Sequence, residues 1–176
     1  FINKNPNNLD TKIMHNEKMG GNGALMRCSP LGLLYYKDKD KLTQNTLEST
    51  IVTHNNEVAV WTSIAHNSFI RYALLDLDKQ TFPSRFLNDY RGMYPKQIEL
   101  LLEEQIYSLD GVSTTGYSLN TSRIAINSFL TTDNYRDCVS KAILLGGDTD
   151  TQGAVAGALA GVYYDFENVP KTWVNT

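Results

Sequence analysis

Three glycines spaced four residues apart, Gly153, Gly157 and Gly161, lie in an alanine-rich run that directly follows the motif GGDTDT at residues 146–151. In a helix this spacing puts all three glycines on one face. Each glycine costs roughly 1 kcal/mol relative to alanine in a helix interior, so the pattern predicts close backbone packing against a neighbouring helix. The run ends at Asp165, short of the roughly 20 apolar residues that a membrane span needs. We therefore expect a helix buried in the protein core.

The motif in front of this helix carries two aspartates at positions i and i+2, Asp148 and Asp150, with Thr151 beside them. Two glycines precede the aspartates and end an apolar run, which predicts the C-cap of one helix and a sharp turn into the next. Asp150 or Thr151 suits the N-cap of the second helix. In an extended turn the two carboxylates leave the backbone on the same side, and hard oxygen ligands at this spacing suit Mg²⁺ or Mn²⁺. The alternative is that one aspartate caps the helix and the other is a solvated turn residue.

The composition is that of an ordinary globular protein. With 176 residues, 41% of them hydrophobic, the chain is long enough for one domain over residues 1–176, in which the polar, asparagine-rich residues 1–14 form a flexible lead-in. A net charge of −3 without a basic cluster gives nucleic-acid binding no electrostatic support. Cys28 and Cys138 favour a reducing compartment over a disulfide framework. No signal peptide or transmembrane run is visible, so the expected location is the cytoplasm, without a membrane partner.

Helical periodicity recurs along the chain and no segment shows the alternation of a strand, so the predicted fold class is all-α. Ser29 followed by Pro30 predicts a helix start with Ser29 as the N-cap, and another helix is predicted to start at Glu57. The other predicted helices are 42–52, 97–109, 119–130 and 135–145. Residues 82–95, which contain two prolines and a glycine, are predicted to be irregular.

Two further features are candidates for ligand binding. The segment GGNG at residues 20–23 permits positive φ and leaves backbone N–H groups free to form an anion-binding nest, or it is simply a turn. His54 falls between two predicted helices, where it makes either a structural hydrogen bond or a ligand contact. His66 is expected on a helix surface or at the edge of the core.

Taken together, these motifs resemble the ADP-ribosylglycohydrolase family. The motifs are GNGALMR followed by Pro30, Thr53-His54, Gly116-Tyr117, GGDTDT, the small-residue helix and a closing Pro170…Trp173, and they occur in the family's order. The resemblance covers the chain from about Gly20 onward, and the ordered combination is far more specific than any single motif. It implies an all-helical, orthogonally packed single domain with a dinuclear Mg²⁺ or Mn²⁺ centre at the base of a cleft. It also implies hydrolysis of an ADP-ribosyl glycosidic bond, with ADP-ribose or an ADP-ribosylated protein as the partner.

The resemblance implies a metal role for some residues and a nucleotide role for others. Asp148, Asp150 and Thr151 match the C-terminal half of the family's metal site. The residues that match nucleotide contacts are Gly20, Gly21, Asn22 and Gly23, which wrap the ribose and diphosphate, His54, which lines the cleft, and Gly116 and Tyr117, which pack on the nucleotide. An aromatic ring in that last position can stack on adenine.

Two family segments are not in this sequence. One is an early Gly-Asp-Ala-Gly with a catalytic acidic residue nearby, and the other is a Thr-Asp-Asp run that supplies the second half of the metal site. Because the chain starts at Phe1, after the place of these segments, no catalytic residue is assigned, and Met19 stands where family members often have a polar or acidic residue. We expect either a piece of a longer hydrolase or a non-catalytic member that binds ADP-ribose or is purely structural. A generic helical interaction domain, in which GGDTDT is only a cap, is the third alternative.

Overall fold

The computed structural model describes residues 20–175, which fold into α-helices and short 3₁₀ turns. The helices are α1 Ser29–Tyr35, α2 Lys39–Ile51, α3 Glu57–Leu74, α4 Phe82–Asp89, α5 Lys96–Glu103, α6 Ser118–Leu130, α7 Tyr135–Ile143, α8 Thr149–Tyr164 and α9 Lys171–Val174. Within the described range no β-strand forms, and extended backbone pairs only in an isolated antiparallel bridge between Gly21 and Tyr117. The predicted all-α fold is therefore confirmed. The predicted lead-in at 1–14 and Met19 lie outside the described residues.

Several helix boundaries differ from their prediction, most clearly at α1 and α5. Cys28, not Ser29, occupies the N-cap position of α1, and Ser29 is the first helical residue. The Ser29 hydroxyl is instead hydrogen-bonded to Nε2 of His66 at 2.9 Å, so the prediction that Ser29 caps the helix is wrong. The helix predicted at 97–109 ends at Glu103, and a 3₁₀ turn, Gln105–Tyr107, follows it.

The segment predicted to be irregular contains a helix, α4. Pro83 lies in its first turn, where a proline is tolerated. Phe82 and Phe86 on this helix are completely buried. The ring of Phe86 lies against Tyr90, with centroids 4.8 Å apart, and against Trp61, with centroids 6.3 Å apart. Helices this short depend on tertiary packing, and the buried aromatic rings supply it here.

Helix α3 forms the centre of the core. It is buried along almost its whole length and contacts α1, α2, α6 and α8. The side chain of Asn56 caps its start by accepting a hydrogen bond from the Ala59 N–H at 3.1 Å. His66 lies in this helix with only 3% of its surface exposed. The expectation that His66 lies on a helix surface or at the core edge is therefore wrong.

The glycine face of α8 packs against α7, and the two helices run antiparallel. A Cβ atom built on Gly153 would lie 3.0 Å from Ile143 Cγ2, and one built on Gly157 would lie 3.3 Å from Tyr135 Oη and 3.5 Å from Val139 Cγ2. The predicted close helix–helix approach is confirmed. The glycines themselves are only partly buried, and the fully buried face of α8 is a neighbouring one, formed by Val155, Ala156, Leu159 and Ala160.

Replacing Gly157 with leucine is expected to lower the free energy of unfolding by up to about 2 kcal/mol. Displacing Tyr135 and Val139 costs about 1–3 kcal/mol, and removing a helical glycine recovers roughly 1 kcal/mol. The matched control is Ala154→Leu, on an exposed position of the same helix, where leucine and alanine have similar helix propensity. Urea unfolding of both variants measures the difference. Equal stability of the two variants would mean that the α7–α8 contact can accommodate a side chain.

The two cysteines are free and buried. Burial raises the pKa of the Cys28 thiol to about 12 and that of the Cys138 thiol to about 11. Both side chains are therefore protonated at neutral pH and act as small apolar groups. No helix among residues 20–175 combines the length and the apolar character of a membrane span.

Candidate functional site

Three loops that are far apart in the sequence meet at the start of α8. We call them the glycine loop (residues 20–23), the threonine loop (residues 113–117) and the aspartate loop (residues 146–151). The bridge between Gly21 and Tyr117 joins the first two. The structure thus brings together the segments to which the sequence assigned metal binding and nucleotide binding.

Thr114 holds the aspartate loop in place. Its carbonyl oxygen accepts a hydrogen bond from the Asp148 N–H at 3.0 Å and one from Gln152 Nε2 at 3.4 Å. Gly147 has a φ of +73°, and a Cβ atom on it would lie 2.3 Å from Thr114 Oγ1 and 2.5 Å from Thr114 O. Only glycine allows both this backbone conformation and this approach.

The carboxylate of Asp148 receives donors on both oxygens. Asn22 Nδ2 donates to Oδ2 at 2.5 Å, and the Thr151 hydroxyl donates to Oδ1 at 3.0 Å. The bond from Asn22 is the largest cause of a lowered pKa of Asp148; burial opposes it, and Thr151 and Asp150, also within hydrogen-bonding reach, lower the pKa further. Asp148 is therefore ionised at neutral pH, and Thr151 lies on the same side as its carboxylate.

The start of α8 differs from its prediction. Asp148 occupies the N-cap position, but its side chain makes no capping hydrogen bond, and the helix begins at Thr149. Asp150 and Thr151 lie in the first turn, so the prediction that one of them is the N-cap is wrong. The carboxylate of Asp148 is directed to Asn22 and Thr151 instead of to the helix backbone.

His54 lies directly over the glycine loop. A Cβ atom on Gly23 would lie 2.8 Å from His54 Cε1, and one on Gly21 would lie 3.3 Å from Nε2. Neither glycine adopts a positive φ, so the conformational freedom that the sequence permits is not used at Gly21 or Gly23. Close approach of the imidazole ring is the reason that these positions lack a side chain.

A hydrogen-bond relay orients the imidazole of His54. Arg27 Nη2 donates to Thr53 Oγ1 at 2.7 Å, and Thr53 Oγ1 lies 2.8 Å from His54 Nδ1. Because an arginine can only donate, the threonine hydroxyl accepts from Arg27 and keeps its own proton available for Nδ1, an arrangement that would place the ring proton on Nε2. Burial, and secondly the charge of Arg27, lower the pKa of His54. His54 is therefore a neutral imidazole above the glycine loop.

The second predicted nucleotide loop lies beside the aspartate. Gly116 O accepts a hydrogen bond from the Asn22 N–H at 2.9 Å, and a Cβ atom on Gly116 would lie 3.4 Å from Asp148 Oδ2. Tyr117 is half-buried at the start of α6. Stacking of its ring on adenine stays a prediction.

Sequence reasoning missed several residues that build this site. Thr114 braces the aspartate loop, Thr121 is hydrogen-bonded to Asn22, and Arg27 with Thr53 orients His54. Arg27 and Thr53 stand inside the motifs GNGALMR and TH, which could have marked them. Thr114 and Thr121 belong to no motif and are recognisable only from the fold.

The donor set fits one side of a hydrated Mg²⁺ or Mn²⁺ ion. Asp148, Asp150 and Thr151 offer hard oxygen atoms at one point, which is the ligand type these ions prefer. Among residues 20–175, no group of three or more histidines, cysteines, aspartates and glutamates comes together as a metal site. The described residues therefore resemble part of a metal site and not a complete cage.

The fold and the site define a class of helical proteins that is known from solved structures. A structure titled ADP-ribosylglycohydrolase-related protein complex superimposes with a TM-score of 0.82 at 29% sequence identity, covering 91% of this chain and 56% of that chain. The sequence model of the ADP-ribosylglycohydrolase family matches residues 4–176. The chain belongs to the ADP-ribosylglycohydrolase family. A generic interaction domain with a chance helix cap is therefore not supported.

Relatives of the chain carry hydrolase names. It is 24% identical over 165 residues to ADP-ribosyl-[dinitrogen reductase] glycohydrolase of Rhodospirillum rubrum, with 94% of this chain and 53% of the relative covered. It is 25% identical over 157 residues to ADP-ribosylarginine hydrolase Tri1 of Serratia proteamaculans, with 88% and 42% covered. The chain thus spans about half the length of the relatives it matches.

Proposed function

We propose that these residues form the metal- and nucleotide-binding part of a cytoplasmic hydrolase that cleaves ADP-ribosyl glycosidic bonds and releases ADP-ribose from a modified protein or small molecule. The observation that carries the proposal is the convergence of Asp148, Asp150 and Thr151 beside the glycine loop and His54. The names of the relatives agree with this reaction.

In this proposal Asp148, Asp150 and Thr151 hold the metal. A family-type pair of Mg²⁺ or Mn²⁺ ions would supply a Lewis acid that holds the ribose hydroxyls and lowers the pKa of the attacking water. The N-terminus of α8 carries roughly half a positive charge, which repels a cation. The carboxylates of Asp148 and Asp150 outweigh that charge, so the site attracts cations on balance.

The glycine loop and His54 bind the nucleotide. With no side chains on Gly21 and Gly23, a ligand can approach the backbone closely, and the Nε2–H of His54 offers a neutral donor to a phosphate or ribose oxygen. Tyr117 supplies an aromatic face for the base. The glycosidic bond breaks through an oxocarbenium-like state at the anomeric carbon, which the neighbouring carboxylates favour electrostatically.

One observation favours a second candidate, a non-catalytic member of the family that binds ADP-ribose or serves as a scaffold. The described residues supply two carboxylates and a hydroxyl but no larger cluster of metal ligands. Mg²⁺ gives up its waters reluctantly, so such a site holds the ion weakly. We expect weak ADP-ribose binding and negligible hydrolysis by residues 1–176 alone.

The test is release of free ADP-ribose from ADP-ribosylated arginine or serine peptides with Mg²⁺ or Mn²⁺. The assay compares residues 1–176 with the protein encoded by the longest open reading frame that contains them. If that longer protein includes the Gly-Asp-Ala-Gly and Thr-Asp-Asp segments, we expect it to hydrolyse the peptides. Asp148→Asn and Asp150→Asn should abolish hydrolysis, whereas Asp40→Asn, on an exposed site of α2, should not. Robust turnover by residues 1–176 would show that this part of the chain contains the catalytic residues. ADP-ribose binding without turnover by the longer product would favour the non-catalytic candidate.

A further inference from the structure

We infer that Asn22 and Thr121 are positioning residues that orient the carboxylate of Asp148, and that the Asn22 side chain does not bind the diphosphate. The inference rests on the proposed metal site at Asp148. It changes the role that family resemblance suggested for Asn22, which was contact with the ribose and diphosphate.

The donors of Asn22 are all committed within the protein. Its backbone N–H donates to Gly116 O at 2.9 Å. Its two side-chain N–H groups have two acceptors, Thr121 Oγ1 at 2.9 Å and Asp148 Oδ2 at 2.5 Å. Phosphate oxygens are acceptors and need donors. The side chain has only its amide oxygen left, so it offers a diphosphate nothing to bind.

Asp148 and Thr121 together set which way the Asn22 amide faces. The hydroxyl of Thr121 donates to Tyr117 O at 3.3 Å and accepts from Asn22 Nδ2 at 2.9 Å. The reversed amide would place its oxygen against both Thr121 Oγ1 and the carboxylate of Asp148. Both Asn22 and Thr121 are buried, with 8% and 0% of their surfaces exposed. The amide is therefore fixed with its nitrogen towards Asp148.

These hydrogen bonds fix the orientation of the Asp148 carboxylate before any metal binds. Asn22 holds Oδ2 and Thr151 holds Oδ1, so rotation of the carboxylate would break both hydrogen bonds. The remaining lone pairs of the carboxylate are free to bind a cation together with Asp150. Residues that hydrogen-bond to a metal ligand without touching the metal fix the geometry of that ligand and tune the affinity of the site for the ion.

The experiment measures Mn²⁺ binding to residues 1–176 by electron paramagnetic resonance. Asn22→Ala is expected to weaken Mn²⁺ binding by about 10–100-fold. Thr121→Val, which keeps the shape and removes the hydroxyl, should weaken it in the same direction, and Thr121→Ser should restore it. The matched control is Thr62→Val, where a buried hydroxyl bonds only to its own helix at Val58 O and Ala59 O. This control should bind Mn²⁺ like the parent chain.

A second readout separates positioning from nucleotide contact. ADP-ribose binding without metal, followed by NMR titration, should be the same for Asn22→Ala and the parent. Weaker ADP-ribose binding by Asn22→Ala with unchanged Mn²⁺ binding would overturn the inference and restore Asn22 as a ligand contact. Thr121→Val binding Mn²⁺ like Thr62→Val would overturn the role of Thr121.

A third readout keeps the inference testable if the parent chain binds no Mn²⁺, a result that would reject the proposed metal site. The side-chain amide signals of Asn22 in ¹⁵N-resolved spectra should shift in Asp148→Ala and in Thr121→Val, because both changes remove an acceptor of Nδ2. Amide signals that stay unchanged in both variants would show that the hydrogen-bond chain does not exist in solution.

Discussion

Replacing Gly147 with alanine is expected to lower the free energy of unfolding by about 2–5 kcal/mol and to displace the aspartate loop. The left-handed φ of +73° costs a residue with a Cβ atom roughly 1–2 kcal/mol. The new atom would also lie 2.5 Å from the backbone oxygen of Thr114, and overpacking of this kind adds about 1–3 kcal/mol. Because the collision is with backbone, a change of side-chain rotamer cannot relieve it.

Gly146 provides the matched control for this prediction. Its φ of +78° is nearly the same, but a Cβ atom on it meets nothing within 4 Å. Gly146→Ala should therefore cost only the roughly 1–2 kcal/mol of the backbone conformation. Urea unfolding measures both variants, and Mn²⁺ binding reports whether Asp148 has moved. If the two variants lose equal stability and bind Mn²⁺ equally, Thr114 does not brace the aspartate loop.

Local patterns were sufficient to predict most helices and the packing of α8. The spacing of apolar residues and of small residues is visible within a few turns of one helix. The helices α6 and α7 and the glycine face of α8 could therefore be predicted. Helix α4 and the burial of His66 could not. The first depends on aromatic contacts from other helices, such as Trp61 with Phe86, and the second depends on the start of α1 packing against α3.

The sequence predicted the site residues that belong to motifs. It did not predict the residues whose hydrogen bonds connect one motif to another. The sequence alone indicated that Asp148 and Asp150 converge, because they are two positions apart. The hydrogen bond from Asn22 to Thr121 spans 99 positions, and no local pattern marks such a pair. The sequence marked the glycines of the glycine loop but not the contact that excludes a side chain at Gly21 and Gly23, because His54 lies 31 positions or more along the chain.

Acidification is expected to destabilise the fold through His66. Burial lowers the pKa of His66 from 6.5 to about 4, because a charged imidazole in the core loses its hydration. The unfolded chain binds the proton more tightly than the folded chain. The stabilisation is therefore complete above pH 6.5 and is lost as the pH falls towards 4. It amounts to about 3 kcal/mol, at roughly 1.4 kcal/mol for each unit of pKa difference.

His66→Gln isolates this contribution. The glutamine amide is neutral at every pH in this window and can reach the Ser29 hydroxyl. The free energy of unfolding of the variant, measured in urea between pH 7.5 and 4, should change by about 3 kcal/mol less than that of the parent. The lowered pKa values of Asp38 and Asp148 act below 3.8, so they contribute little in this range. Parallel loss of stability in both chains would show that a group other than His66 takes up the proton.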